Sequence, residues 1–159
     1  MVENDKFIWE IMILRLATLE GIGTPINLRL QMLREIVGSF PEELPNSIQT
    51  YLEKHISDKS CLCALLEIDG KIVAMAMLCC YEEMPDEISL EGKSAKLSSV
   101  YTLPSFRSRG YMEQLLLYLM DEARNCSIGE IYAAAERKAM PLYKRVGFQA
   151  AETIMFMDI

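Results

Sequence analysis

Apolar and polar positions along the chain change period several times, from strand-like runs to helix-like stripes and back. Ile11-Met12-Ile13-Leu14-Arg15-Leu16 is apolar and short, which predicts a strand within 10–17. Thr24-Pro25 supplies an N-cap and a first-turn proline, and Ile26, Leu30, Leu33 and Val37 follow at helical spacing up to Gly38, predicting a helix over 24–37. Asn46 or Ser47 caps a second helix that carries Ile48, Tyr51, Leu52, His55 and Ile56 on one face and ends near Ser57-Asp58. His55 lies on that apolar side and reads as a packing residue rather than a catalyst.

Residues 61–69 and 71–80 are two apolar runs joined at Asp69-Gly70, the strongest short-range signal for an antiparallel hairpin. Tyr81 to Gly92 holds Glu82, Glu83, Asp86, Glu87 and Glu91 with Pro85 and no basic residue, which predicts an exposed acidic loop. A strand over 96–102 stops at Pro104. Beyond it Met112, Leu115, Leu116, Leu119, Met120 and Ala123 recur at helical spacing, with Gly129 in the turn that follows. A strand over 130–135, a short helix over 140–146 and a broken strand or hairpin over 148–159 close the chain. The order β-α-α-β-β-β-α-β-α-β predicts an α+β fold: a mixed, mostly antiparallel sheet flanked by helices, in a single domain over 1–159.

Composition narrows the function classes. A chain of 159 residues that is 51% hydrophobic and 25% charged is a globular domain. Its 16 basic and 23 acidic residues leave a net charge of −7, the wrong sign for the basic footprint of a nucleic-acid binder. Met1-Val2-Glu3-Asn4-Asp5 is acidic where a secretion signal is basic, and no stretch reaches the roughly 20 apolar residues of a membrane span. With five cysteines, an odd number, the expectation is a cytoplasmic protein with reduced thiols. The Cys61-x-Cys63 and Cys79-Cys80 pairs lack the spacing of zinc ligands and His55 is the only histidine, so no metal is expected.

Chemistry concentrates in Leu103-Pro104-Ser105-Phe106-Arg107-Ser108-Arg109-Gly110-Tyr111-Met112, a tight turn between the predicted strand and the long helix. Unpaired N–H groups at a helix start carry about half a positive charge, and a glycine there lets a phosphate approach. Arg107 and Arg109 add two cations, so the turn reads as an anion cradle. Val100-Tyr101-Thr102-x-Pro104 followed by Arg107-x-x-Gly110 and an amphipathic helix resembles the acyl-CoA-binding motif of the GNAT N-acetyltransferase superfamily. Pro141-Leu142-Tyr143-Lys144-Arg145-Val146-Gly147-Phe148 resembles the late helix of the same family, which carries a tyrosine general acid. The likeness covers residues 61–150 and extends loosely to the first strand and helix pair.

That resemblance implies a sheet with a central splay between two parallel strands, and acetyl-CoA as cosubstrate without a metal. The pantetheine arm would pair with Val100, Tyr101 and Thr102, and the pyrophosphate would rest on Arg107, Ser108, Arg109, Gly110, Tyr111 and Met112. Met112 stands where the family usually has Gly or Ala; Lys144 belongs to the basic cluster at the cofactor end. Tyr143 is implied as general acid for the leaving thiolate, packing of the helix onto the sheet being its other role. Lys96-Leu97-Ser98-Ser99 has no carboxylate where some relatives carry a glutamate. Glu136 stands where relatives often place Asn or Ser and is a candidate base through water, with a plain solvated loop, or proton passage along the splayed-strand carbonyls and ordered water, as the alternatives.

The expected function is transfer of an acetyl group from acetyl-CoA to a primary amine of a small molecule or peptide, by direct attack in a ternary complex. The alternative is a non-catalytic acyl-CoA-binding sensor or regulatory subunit on the same fold. If the acidic loop rims the acceptor cleft, the acceptor is cationic. Nucleic acid and membrane are set aside as partners, and a homodimer is left open.

Overall fold

The computed structural model describes residues 10–151, 155 and 157–159. Five strands, β1 (Met12–Leu16), β2 (Cys61–Ile68), β3 (Lys71–Glu82), β4 (Lys93–Thr102) and β5 (Glu130–Ala133), form one sheet in chain order. β1 to β4 pair antiparallel, while β5 lies parallel to β4 because the helix α3 (Tyr111–Asn125) carries the chain back across the sheet. Two helices, α1 (Gly23–Val37) and α2 (Leu44–Ser57), cover one face; α3 and the short α4 (Met140–Arg145) cover the other. The mixed, mostly antiparallel α+β architecture expected from the chain is the one observed.

The two central strands show why two helix layers are needed. Cys61, Cys63, Leu65, Met75 and Met77 pack with Leu28, Leu30, Ile48 and Leu52 of α1 and α2. The alternate residues Leu62, Ala64, Leu66, Ala74, Ala76 and Leu78 pack with Leu115, Leu116 and Leu119 of α3. A strand with both faces covered reads as a continuous apolar run, which is how β2 and β3 look in sequence. The hairpin between them turns on Asp69 and Gly70, both at positive φ (48° and 82°), as the two-residue type I′ turn requires. Asp69 also accepts the Ile11 N–H at 2.9 Å, tying the start of β1 to that turn.

Element boundaries differ from the sequence expectation at a few places. α1 starts at Gly23 with Ile22 as its cap, and Thr24 makes no capping bond. α2 starts at Leu44, ahead of Asn46 and Ser47; Pro45 sits in its first turn, where a missing N–H loses nothing, and Ser47 donates back to the Glu43 carbonyl at 3.2 Å. β3 and β4 run on to pair Glu82 with Lys93, opposite charges facing across the strands, so the acidic loop is shorter than the sequence suggested. The closing strand or hairpin expected over 148–159 falls partly outside the described residues; the described ones among them form no strand.

One clasp fixes α1 to the turn after β4. The Tyr101 hydroxyl donates to the Glu35 carboxylate, and Arg107 Nη2 donates to the other carboxylate oxygen at 2.7 Å while its guanidinium lies 5.5 Å from the Tyr101 ring centroid. Those donors hold the Glu35 carboxyl below its ordinary 4.5, Tyr101 first and Arg107 second. Burial and the same carboxylate push the Tyr101 hydroxyl up to about 12.

Two outcomes are expected. Leu116→Ala, at a fully buried position of α3, should cost about 2–5 kcal/mol, read as a lower urea midpoint, whereas Leu117→Ala, at 43% exposure one residue on, should stay within roughly 0.5 kcal/mol. A carboxyl whose folded pKa is depressed stabilises above its unfolded pKa and loses that contribution as pH falls through the folded value. Glu35→Gln should therefore be less stable than the wild type at neutral pH, and the two unfolding midpoints should converge as pH drops below 4.5.

Candidate functional site

The site is set by the point where β4 loses a neighbour. β5 pairs with β4 only from Ser94–Glu130 to Leu97–Ala133, yet β4 continues to Thr102. Beyond Leu97 the backbone groups that point toward β5 have no strand partner among the described residues, leaving an open edge beside the shorter last strand. In the same stretch Met77 pairs with Ser98 and Met75 with Tyr101, so Ser99 and Val100 together stand opposite Ala76. This β-bulge, with Ser99 at φ 54°, turns the strand and shifts the side-chain alternation by one residue. Val100 then packs with the α3 layer, and Tyr101 with α1 and α2.

Past Thr102 the chain makes a one-turn 3-10 helix at Pro104–Phe106 and enters the cradle. Ser108 (φ 60°) and Gly110 (φ 78°) are both left-handed, which folds successive N–H groups inward as a nest. A Cβ at residue 110 would meet nothing within 4 Å, so the glycine serves the conformation and keeps its outer side open. The N–H groups of Tyr111, Met112 and Glu113 have no acceptor inside α3, and no side chain caps them. They border a cavity of 190 Å³ lined by Thr102, residues 106–113, Leu142 and Arg145. Met112 lines it too, with part of its side chain packed on the core.

Every arginine of this cradle is already engaged. Arg107 donates to the Thr102 carbonyl at 2.9 Å and to Glu35. Arg109 donates to the Ser105 carbonyl at 3.1 Å, lies 3.7 Å from Glu10 and stacks on Phe106. Arg145 donates to Glu113 at 2.8 Å, neutralising a carboxylate inside the cradle. Glu10 also accepts from the Tyr111 hydroxyl at 2.5 Å, which raises that hydroxyl's pKa. These are exposed pairs worth about 0–1 kcal/mol each, so an incoming polyanion can recruit the guanidiniums at small cost.

Within α4 the functional side chains separate. Leu142 and Arg145, three residues apart and so on one helical face, point to the cradle. Tyr143 and Lys144, about 100° further round, line a different cavity of 320 Å³ with Ala133, Ala135 and Met140. Tyr143 is 8% exposed and its ring meets Phe148 at 5.5 Å between centroids. Burial, and then the charge of Glu136, push its hydroxyl above the ordinary 10.0, and among the described residues that hydroxyl has no hydrogen-bond partner. Glu136 itself is exposed and paired with Lys138 at 3.0 Å. Val100, Tyr101, Thr102 and the 107–112 turn are consecutive along one strand–turn–helix, and Tyr143 belongs to the core layer against which Val100 packs, while Lys144 lines the neighbouring cavity and Glu136 is exposed.

On the opposite face of β4 lies a third cavity, of 360 Å³, walled by α1, α2 and the bulge. Arg29 enters it and donates from Nη1 to the Ser99 hydroxyl at 2.5 Å. The acidic loop contributes no residue to its lining; the loop joins β4 at Lys93, three residues or roughly 10 Å at strand rise from Lys96 at the near wall. His55 takes the packing role expected of it, its ring 4.1 Å from that of Tyr51 and its Nδ1 2.5 Å from the Ser60 hydroxyl. Among the described residues no group of three His, Cys, Asp or Glu side chains is arranged to hold a metal, and no helix is long and apolar enough to cross a membrane.

Arg145 belongs to the basic cluster that the sequence puts at the cofactor end, and it is the member of α4 that lines the cradle with Leu142. Arg29 and Glu35 had no local signal, since each acts on residues about seventy positions away.

Residues 29–148 match the sequence model of the acetyltransferase (GNAT) family. No curated protein matches the chain. Among solved structures, a predicted acetyltransferase with acetyl-CoA from Clostridium acetobutylicum superposes with a TM-score of 0.83 at 22% identity, over 93% of this chain and 96% of its own. A GCN5-related N-acetyltransferase from Ralstonia eutropha gives 0.77 at 23% identity, over 94% and 99%. Likeness at those identities speaks for the fold, and the family model, which spans most of the chain and includes the splay, the cradle and α4, speaks for descent: the chain belongs to the acetyltransferase (GNAT) family.

Proposed function

We propose that the chain is an acetyl-CoA-dependent N-acetyltransferase, moving an acetyl group to the primary amine of a small molecule or peptide by direct attack in a ternary complex. The observation that carries this reading is the continuity of the open β4 edge with the N–H nest at the start of α3. An extended amide-bearing arm adds to an unpaired strand edge through main-chain hydrogen bonds, and a pyrophosphate suits converging N–H groups at a helix start. The residues present fit acetyl-CoA: Val100 to Thr102 take the arm, and 107–112 with Arg145 take the phosphates.

Acetyl-CoA, when bound, supplies the activated acetyl thioester. The chain's own residues then have two proton tasks. Tyr143 stays protonated across neutral pH, because burial and Glu136 hold its hydroxyl above 10.0, and its hydroxyl is free to donate to a departing thiolate. On the amine side no carboxylate lines the cavity beside the bulge, so the proton leaves along the unpaired β4 carbonyls and solvent, with Glu136 the carboxylate whose charge reaches Tyr143.

Acetyl-CoA at 100 times its Kd should stabilise the chain by about 2.7 kcal/mol, read as a thermal shift, and neither NAD nor ATP should match it. Tyr143→Phe should keep that shift while kcat falls roughly 10²–10⁴-fold. A chain that acetyl-CoA and CoA both leave unshifted at millimolar concentration would overturn the reading. If the shift appears but no amine is acetylated, the chain is the non-catalytic sensor instead.

A further inference from the structure

The cavity beside the bulge has a charge opposite to that of the molecule around it. The chain carries a net −7, yet the cavity is entered by Arg29 and Lys96 and lined by no Asp or Glu. Among the described residues neither cation has a carboxylate partner, whereas the guanidiniums of Arg15, Arg107, Arg109, Arg124 and Arg145 all do. Arg29 is half-buried, and of its five N–H donors only one is used within the described chain, on Ser99. A guanidinium withdrawn from water without a counter-charge is costly, and a ligand oxyanion removes that cost.

The remaining wall sets the size and body of the ligand. Leu44, Ile48, Leu52, Met77 and the Tyr51 ring are apolar, and 360 Å³ lies near the lower end of small-molecule pockets, too small for a folded partner's loop. Ser99 closes the cavity one residue, about 3.8 Å of backbone, from Val100 on the open β4 edge. Arg29 reaches the bulge itself through Ser99, so a ligand held there lies beside the strand edge.

We propose that this cavity is the acceptor site and that its acceptor is a small amine carrying an oxyanion, carboxylate or phosphate, gripped by Arg29 and Lys96. This rests on the transferase reading above, and it reverses the cationic acceptor that the acidic loop suggested. The amine end reaches the thioester carbonyl past the bulge; nitrogen bonds to the acetyl carbon, the carbon–sulfur bond breaks, and the amine's proton and the thiolate's proton are exchanged with solvent and Tyr143.

The test is acetyl transfer by the full chain to matched acceptors: an amino carboxylate and its neutral amide, an amino phosphate and its alcohol, and a diamine. An oxyanion-bearing amine should have the highest kcat/KM and the diamine the lowest, and the better of the carboxylate and phosphate arms identifies the group. Lys96 is exposed, so Lys96→Met should fold, and it should lower the anionic-to-neutral kcat/KM ratio about ten- to a hundredfold, chiefly through KM. Arg29→Lys, which keeps the charge and loses the fork, should fall between wild type and Lys96→Met. Equal use of anionic and neutral amines, or a ratio that Lys96→Met leaves unchanged, would overturn the proposal while leaving the transferase intact. If no amine turns over but acetyl-CoA still shifts the melting temperature, the transferase reading fails and the site is judged by binding. An added shift from the anionic amines on top of CoA, lost in Lys96→Met, supports the site, and its absence overturns it.

Discussion

The loss of pairing between β4 and β5 after Leu97 is the constraint from which the rest of the site follows. A strand in the middle of a sheet ordinarily has both edges satisfied. Here the parallel partner is only four residues long while β4 continues for five more, so a polar edge opens where the last described strand stops. Such unpaired groups are tolerable where solvent reaches them, and the same groups are what a peptide-like arm can use. The bulge at Ser99 belongs to this device. It shifts the alternation so that Val100 serves one layer and Tyr101 the other, putting the clasp with Glu35 on the α1 side and leaving the opposite side to α3 and α4.

Electrostatics at the two ends of the opening work differently. In the cradle the arginines are matched by Glu35, Glu10 and Glu113, so the net local field comes mainly from backbone N–H groups at the start of α3. An acidic chain can thus hold a polyanion without a broad basic surface, since N–H groups in a nest carry partial positive charge that no formal count includes. In the cavity on the other face the cations are unmatched, and the field comes from whole charges on Arg29 and Lys96. The first arrangement suits a ligand with its own extended contacts. The second suits a small one that must be held by a single group.

The hairpin, the long helix and the strand–turn–helix at 100–112 were legible because each is announced by local chemistry: Asp-Gly at a two-residue turn, a leucine stripe, and an arginine-flanked glycine before a helix. The start of α2 was misplaced because a first-turn proline and the burial of neighbouring apolar residues outweighed the polar caps at Asn46 and Ser47. The cradle's position was legible, but its electrostatics were not, since Arg107 and Arg109 looked free when read alone and are held by carboxylates from α1 and from the segment before β1. Lys144 looked like a cofactor-binding residue because it is adjacent in sequence to a residue that lines the cradle. A helix turns about 100° per residue, and that places Leu142 and Arg145 there instead.

By itself the sequence determined the family, the order of elements through α4 and the position of the glycine turn before α3, because these depend on periodicity and on residues close together in the chain. Only the tertiary structure decided where β5 stops, which arginines keep a free charge and that the acidic loop lies at the far end of β4. Each of those outcomes depends on pairs such as Arg29 with Ser99, Glu35 with Arg107 and Ala76 with the bulge, whose members are widely separated along the chain. Charge on a residue is a property of the sequence, but whether that charge is cancelled is a property of the fold.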